Sequence, residues 1–156
     1  MKRFFWSLLL TMTCYMSVAQ GTFKIGLVGG IATDDANTFS DFALGIDTYY
    51  MFNKKRALLN IGPTVGFRNY FASGTDLDDI QFLPLGAAAR IRILGISAGL
   101  DGGYAIGLND NLDGGFYWRP ILAFSIIRLF ELNFSYEVVY DELNWANFNM
   151  GFLIQI

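Results

Sequence analysis

From Thr22 onward the sequence alternates, segment after segment, between an apolar side chain and a small or polar one. "TFKIGLVGGIA" sets Phe23, Ile25, Leu27 and Ile31 against Lys24, Gly26, Val28 and Gly30; "LLNIGPTVGFRNYF" sets Leu59, Ile61, Val65 and Phe67 against Asn60, Gly62, Thr64, Gly66 and Arg68. The same period of two runs through "DFALGIDTYYMF", "QFLPLGAAARIRI", "GISAGLDGGYAIGL", "YWRPILAFSII", "ELNFSYEVVY" and "NFNMGFLIQI", which makes eight segments. A strand sends successive side chains to opposite faces, so each segment reads as a strand whose two faces meet different surroundings. One face is aliphatic and aromatic throughout, as hydrocarbon requires, and the other is glycine-rich with scattered charges, as a narrow packed interior requires. Strands facing hydrocarbon cannot end in an open edge, because each unpaired backbone group there costs several kcal/mol. The expectation is therefore an all-β chain folded as an eight-stranded antiparallel up-and-down transmembrane β-barrel over residues 20–156.

Composition agrees with that solvent. A chain of 156 residues that is 53% hydrophobic and only 16% charged is too apolar for an ordinary water-soluble domain. After the N-terminus, Gly, Asn, Asp or Arg interrupts every run short of the 18 apolar residues of a spanning helix. The start, "MKRFFWSLLLTMTCYMSVAQ", has the basic Lys2 and Arg3, an apolar stretch, and Ser17-Val18-Ala19 before Gln20. Residues 1–19 read as a cleaved signal peptide, with a lipoprotein signal at Cys14 as the alternative; "LTMTC" lacks the small residue expected before such a cysteine. Removing the leader removes the only cysteine, so the exported chain would hold no disulfide.

The segments between strands also differ. Polar stretches "TDDANTFSD", "SGTDLDD", "NDNLDGG" and "DELN" alternate with links expected to be tight at "NKKR", at Leu94-Gly95 and around Arg128. Membrane barrels have short periplasmic turns and longer outer loops. The acidic residues gather in the first set and the basic residues Lys54, Lys55, Arg56, Arg92 and Arg128 near the second. With 14 acidic against 11 basic residues, nucleic acid is excluded as a partner.

On the interior face Asp47, Arg68, Arg90, Asp101, Arg119 and Glu137 form the candidate site, a polar network filling the lumen, because buried charges must be paired. A two-residue turn at Leu94-Gly95 would make Arg90 and Asp101 diagonal neighbours. Pro63, Pro84 and Pro120 each remove a ladder donor, so a bulge or a strand rim is expected at each. "NDNLDG" echoes a calcium loop with Asn109, Asn111 and Asp113 at the first three ligand positions, yet Pro120 stands where the bidentate acid belongs. An Asn/Gly-rich turn, with no metal and no cofactor, is the reading preferred. A looser possibility is that the acidic rim holds divalent cations bridging lipopolysaccharide phosphates.

The "VAQG" mature start, the "FLPLGAAARIRI" strand followed by "GISAGLDGGYAIG", and the last strand resemble the small outer-membrane barrels of the OmpA/OmpX type. They resemble still more the Bacteroidetes outer-membrane β-barrel families that include PorT-like proteins. The resemblance covers residues 20–156 and implies integral outer-membrane location. It also makes Asn149, Gly151, Ile154 and Ile156 similar to the signal read by the barrel assembly machinery, although Ile156 stands where relatives commonly carry an aromatic residue. Small barrels that are enzymes depend on histidine for acid–base work or nucleophile activation, and this chain has none. The expected function is a non-enzymatic structural or surface-interaction role through acidic outer loops, in contact with outer-membrane lipid and lipopolysaccharide and with an unidentified protein partner. The alternatives are a narrow channel or carrier for small solutes and, by the PorT-like resemblance, an accessory role in secretion or envelope assembly.

Overall fold

The computed structural model describes residues 21–52, 58–73, 78–109, 112–127, 129–141 and 144–156. The leader reading and Asn111 lie outside these residues. Eight strands follow one another: β1 (Thr22–Thr33), β2 (Ser40–Met51), β3 (Leu59–Ala72), β4 (Ile80–Ile93), β5 (Ile96–Gly107), β6 (Gly114–Ile127), β7 (Phe130–Tyr140) and β8 (Asn144–Gln155). A single 3-10 turn, Asp34–Thr38, joins β1 to β2. Each strand pairs antiparallel with the next, and β8 returns to β1 from Lys24↔Gln155 to Thr33↔Ala146, closing the barrel. Both ends of the described chain lie at the terminal end, with the links β2–β3, β4–β5 and β6–β7; the other four links form the loop end. Strands of 11 to 14 residues exceed the roughly 9–11 that a tilted strand needs to cross hydrocarbon.

The alternation decides which side is which. Inward positions are mostly buried and most outward ones exposed, so Leu27 is 68% and Phe116 73% exposed while Asp101 and Glu137 are wholly buried; toward the loop end the outward Val138 and Ala146 are covered as well. The outward band is mainly aliphatic at mid-height, where Phe67 and Phe134 are exceptions, and carries aromatic side chains toward both ends. Near the loop end Tyr104 meets Phe116 at 5.7 Å, Tyr136 meets Phe148 at 4.7 Å, and Trp118 Nε1 donates to the Tyr140 hydroxyl at 3.0 Å. Near the terminal end Tyr50 meets Phe52 at 5.6 Å and Phe130 meets Phe152 at 5.1 Å.

Two expectations are corrected. No register shift occurs at any proline: Pro63, Pro84 and Pro120 lie opposite Ala87, Ala105 and Leu100 in unbroken register. Pro84 and Pro120 instead coincide with a lapse in the ladder on their other side, at Gly66 and at Tyr136, after which pairing resumes in the same register, while beside Pro63 the β2–β3 ladder stops at Tyr49↔Thr64. Strand pairing on both flanks holds the register, so a missing donor interrupts the ladder locally without adding a residue. The two register shifts lie near strand ends, at Ser40/Phe42, where Ser40 Oγ donates to the Phe42 carbonyl at 3.0 Å, and at Ser125/Ile127. The link lengths are also less regular than expected. "NKKR" sits in a connection running from residue 52 to 58, as long as the loop-end connection 73–79, whereas "DELN" shrinks to residues 141–143 because β8 starts at Asn144. Leu94-Gly95 is a two-residue turn with positive φ at both positions, 48° and 88°, the hairpin geometry whose twist matches the flanking strands.

Candidate functional site

The lumen is filled in three layers. Nearest the loop end is an apolar layer, in which Trp145 packs against Tyr70 at 5.5 Å, Phe39 at 5.7 Å and Phe82 at 5.9 Å, with Tyr117 and Val139 beside them. These side chains come from inward positions of different strands and from the β1–β2 connection, so the layer spans the bore.

Beneath it the structure brings together all six residues of the candidate network. Arg68 grips Glu137 with Nε and Nη2, both at 2.9 Å, and donates from Nη2 to Asp47 at 2.8 Å. Arg119 reaches Asp47 at 2.9 Å, Glu137 at 3.0 Å and Asp101 at 2.7 Å. Arg90 pairs with the other oxygen of Asp101 at 2.5 Å, and the two are diagonal across the β4–β5 hairpin, where Ala88 faces Asp101 and Arg90 faces Gly99. Each carboxylate thus bridges two guanidiniums, and three of each sign neutralise one another out of contact with water. Gly66 helps to make the room: a Cβ there would come within 2.9 Å of Asp47 Oδ1.

Tyr49 is a member that charge patterning did not reveal. Its hydroxyl accepts from Arg119 and donates to Asp101 at 3.1 Å, and its ring lies under Arg90 at 5.5 Å and Arg119 at 6.0 Å. A second charged group near the terminal end was also missed. Lys24 Nζ donates to both oxygens of Glu131 at 2.9 and 2.8 Å, with Arg92 at 3.2 Å and Gln155 Nε2 at 3.1 Å on the same carboxylate. Strand parity alone could have found it, since Glu131 shares the inward face of β7 with Asn133, Ser135 and Glu137.

The other candidates are dispersed. Asn109 Oδ1 accepts from Gln81 N at 2.7 Å and its Nδ2 donates to the Asp79 carbonyl at 2.8 Å, so its amide ties two loop-end connections together; Asp113 is exposed. Asp79 accepts from Asn69 Nδ2 at 2.9 Å and from Ala72 N at 3.0 Å, and these hydrogen bonds hold its carboxyl below the usual carboxylate range. Asn149 and Gly151 face inward on β8 and Ile154 and Ile156 outward, with Asn149 opposite Gly30 and Gly151 opposite Val28 at the closure.

No protein-family model and no curated protein sequence matches this chain. Solved structures match it in shape. Ail, the attachment invasion locus protein of Yersinia pestis, superposes with a TM-score of 0.63 at 14% identity, over 87% of this chain and 97% of that one. The N-terminal β-barrel domain of Pseudomonas aeruginosa OprF gives 0.56 at 15%, over 87% and 99%, and Neisserial surface protein A gives 0.51 at 11%, over 88% and 97%. The fold is that of the small OmpA/OmpX-type barrels. Ail has also been seen in complex with the heparin analogue sucrose octasulfate.

Proposed function

We propose that the protein is an integral outer-membrane barrel, exported by its N-terminal leader, that acts without catalysis as a structural or surface-interaction element. The observation that carries this reading is the outward apolar band, bounded by two aromatic girdles, around a bore filled by charged and aromatic side chains. The shared fold with outer-membrane barrels supports the location. The filled lumen argues against the channel or carrier alternative, because eight strands leave room for little more than side chains. In this reading lipid and lipopolysaccharide cover the band, and the barrel assembly machinery reads the last strand through Asn149, Gly151, Ile154 and Ile156. The resemblance of the mature start, the β4–β5 sequence and the last strand to the Bacteroidetes PorT-like group supports membership of it, and with that membership would come an accessory role in secretion or envelope assembly.

Partner chemistry follows from the loop end. Its connections 34–39, 73–79, 108–113 and 141–143 hold Asp and Glu and no Lys or Arg. A sulfated polysaccharide would be repelled there, so the polyanion binding of Ail is not carried over, and the partner is a cationic surface or a phosphate-bearing one bridged by divalent cations. Cross-linking of intact outer membranes, followed by pull-down, tests the proposal. A specific partner is expected that disappears when "SGTDLDD" and "NDNLDGG" are replaced by minimal turns; an unchanged partner set sinks the loop-mediated role. Planar-bilayer recordings on refolded protein should show no stable steps, and ohmic steps lost on enlarging Gly62 or Gly66 would restore the channel.

A further inference from the structure

From Glu131 to Glu137 every inward position on β7 is polar: Glu131, Asn133, Ser135 and Glu137. The two acids belong to the two charged groups already described, and the pair between them is uncharged. Across the ladder to β8, Asn133 faces Gly151, Ser135 faces Asn149 and Glu137 faces Asn147. One wall of the bore therefore carries a strip of amides and a hydroxyl that joins the two charged groups.

Asn133, Ser135, Asn147 and Asn149 are each more than nine-tenths buried. Within the strip Asn147 Nδ2 donates to Asn149 Oδ1 at 2.8 Å. Both amide atoms of Asn133, the Ser135 hydroxyl, Asn147 Oδ1 and Asn149 Nδ2 have no hydrogen-bond partner among the described residues. Inward neighbours on one strand stand about 6.7 Å apart, twice the rise per residue. That is close to the span of two hydrogen bonds through one intervening oxygen. Buried polar groups are satisfied by protein or by ordered water, and an orphan loses the whole hydration of the group. The mixture of groups defines the occupant: Asn133 and Asn149 supply amide donors, Asn133 and Asn147 amide acceptors, and Ser135 either. No charge stands among the unpaired atoms, so what meets them must be neutral, small, and able both to donate and to accept.

We infer that this wall binds a short file of ordered water molecules, which links the amides and the hydroxyl between the two charged groups. A buried water makes about three hydrogen bonds, and the strip supplies donors and acceptors for them. The aromatic layer around Trp145 closes the bore above the file, and the buried Lys24, Glu131 and Gln155 close it below. Its molecules therefore exchange with bulk water only when the barrel opens. The site rests on the lumen geometry alone and holds whether or not the outer loops have a partner.

Water itself is the probe, by NMR cross-relaxation on perdeuterated barrel refolded in micelles with its amides protonated. The side-chain amides of Asn133 and Asn149 should show cross-peaks to long-lived water. The double change Asn133→Leu/Ser135→Ala, which clears the β7 side of the strip, should remove the cross-peak at Asn149 while circular dichroism stays the same; Leu122→Ile, on the outward face, should change neither. Crystals of the unmodified protein should show water within hydrogen-bond distance of Asn133 and Ser135. A folded protein without these cross-peaks, or survival of the Asn149 cross-peak in the double variant, would overturn the assignment. So would a crystal in which the four side chains pair directly with one another, or in which an ion or a larger molecule occupies the strip. If the double variant does not fold, the crystal of the unmodified protein decides.

Discussion

The aromatic layer at the loop end and the charged layer beneath it fill one bore by opposite means. Around Trp145 the filling is by volume: flat rings meet at 5.5 to 5.9 Å, and another large apolar side chain could take up much of the same space. Around Arg119 the filling is by direction, because its guanidinium satisfies three carboxylates from three strands at once. A slip of one residue on any of those strands would turn its acid outward to the apolar side. The difference teaches that the apolar layer seals the barrel, whereas the charged layer states which residues must face one another.

The contrast can be broken by mutation. Arg119→Met leaves Asp47, Asp101 and Glu137 short of a partner and should cost about 5 kcal/mol, the upper end for breaking a buried pair, read as a lowered urea midpoint in micelles. Trp145→Ala should cost about 3–4 kcal/mol by opening a cavity in the aromatic layer, while Trp145→Phe should cost much less; equal losses for both would mean that this layer is directional too. If the layers are independent, the double variant Arg119→Met/Trp145→Ala should lose the sum of the two within about 0.5 kcal/mol. At the loop end a milder effect concerns Asp79. Its carboxyl titrates lower in the folded state than in the unfolded chain, so its hydrogen bonds contribute above the ordinary aspartate range and are lost as pH falls through the depressed value. Once intrinsic exchange is corrected for, Ala72 N–H should lose protection over that fall, and Asp79→Asn should flatten the dependence. Smallest of all, Leu94→Asn should stabilise by about 0.5 kcal/mol, since Leu94 is 99% exposed at φ 48°, where Asn is better tolerated. No gain there would show that the turn at the far end is indifferent to its residue.

Much of this architecture is legible in the sequence because a barrel strand has only two faces. Parity alone places Asp47, Arg68, Arg90, Asp101, Arg119 and Glu137 inward, and a closed bore that narrow must bring inward charges within reach. The two-residue turn at Leu94-Gly95 is equally local, and with it the Arg90–Asp101 diagonal. Tyr49 escapes because an inward aromatic residue looks like filler until two guanidiniums lie against it. Glu131 escapes because it stands only one residue inside its strand, where a charged residue looks like the end of a turn. The prolines mislead for a different reason: a missing donor is a local property, but register is fixed by the neighbours on both sides.

The pairing across the closure sets a further condition, on time instead of energy. Lys24 meets Glu131 across 107 positions, Arg119 meets Asp47 across 72 and Arg68 meets Glu137 across 69, while β1 waits for β8. Contacts so distant along the chain return their free energy only after most of the loop entropy has been lost, which makes such folding slow. A chain still emerging, or cut short before Glu131, can form the β-hairpins but neither the neutral charged layer nor the final ladder. The ion pairs therefore act as a completeness check, rewarding the last strand's arrival and leaving every shorter product without a stable place to stop.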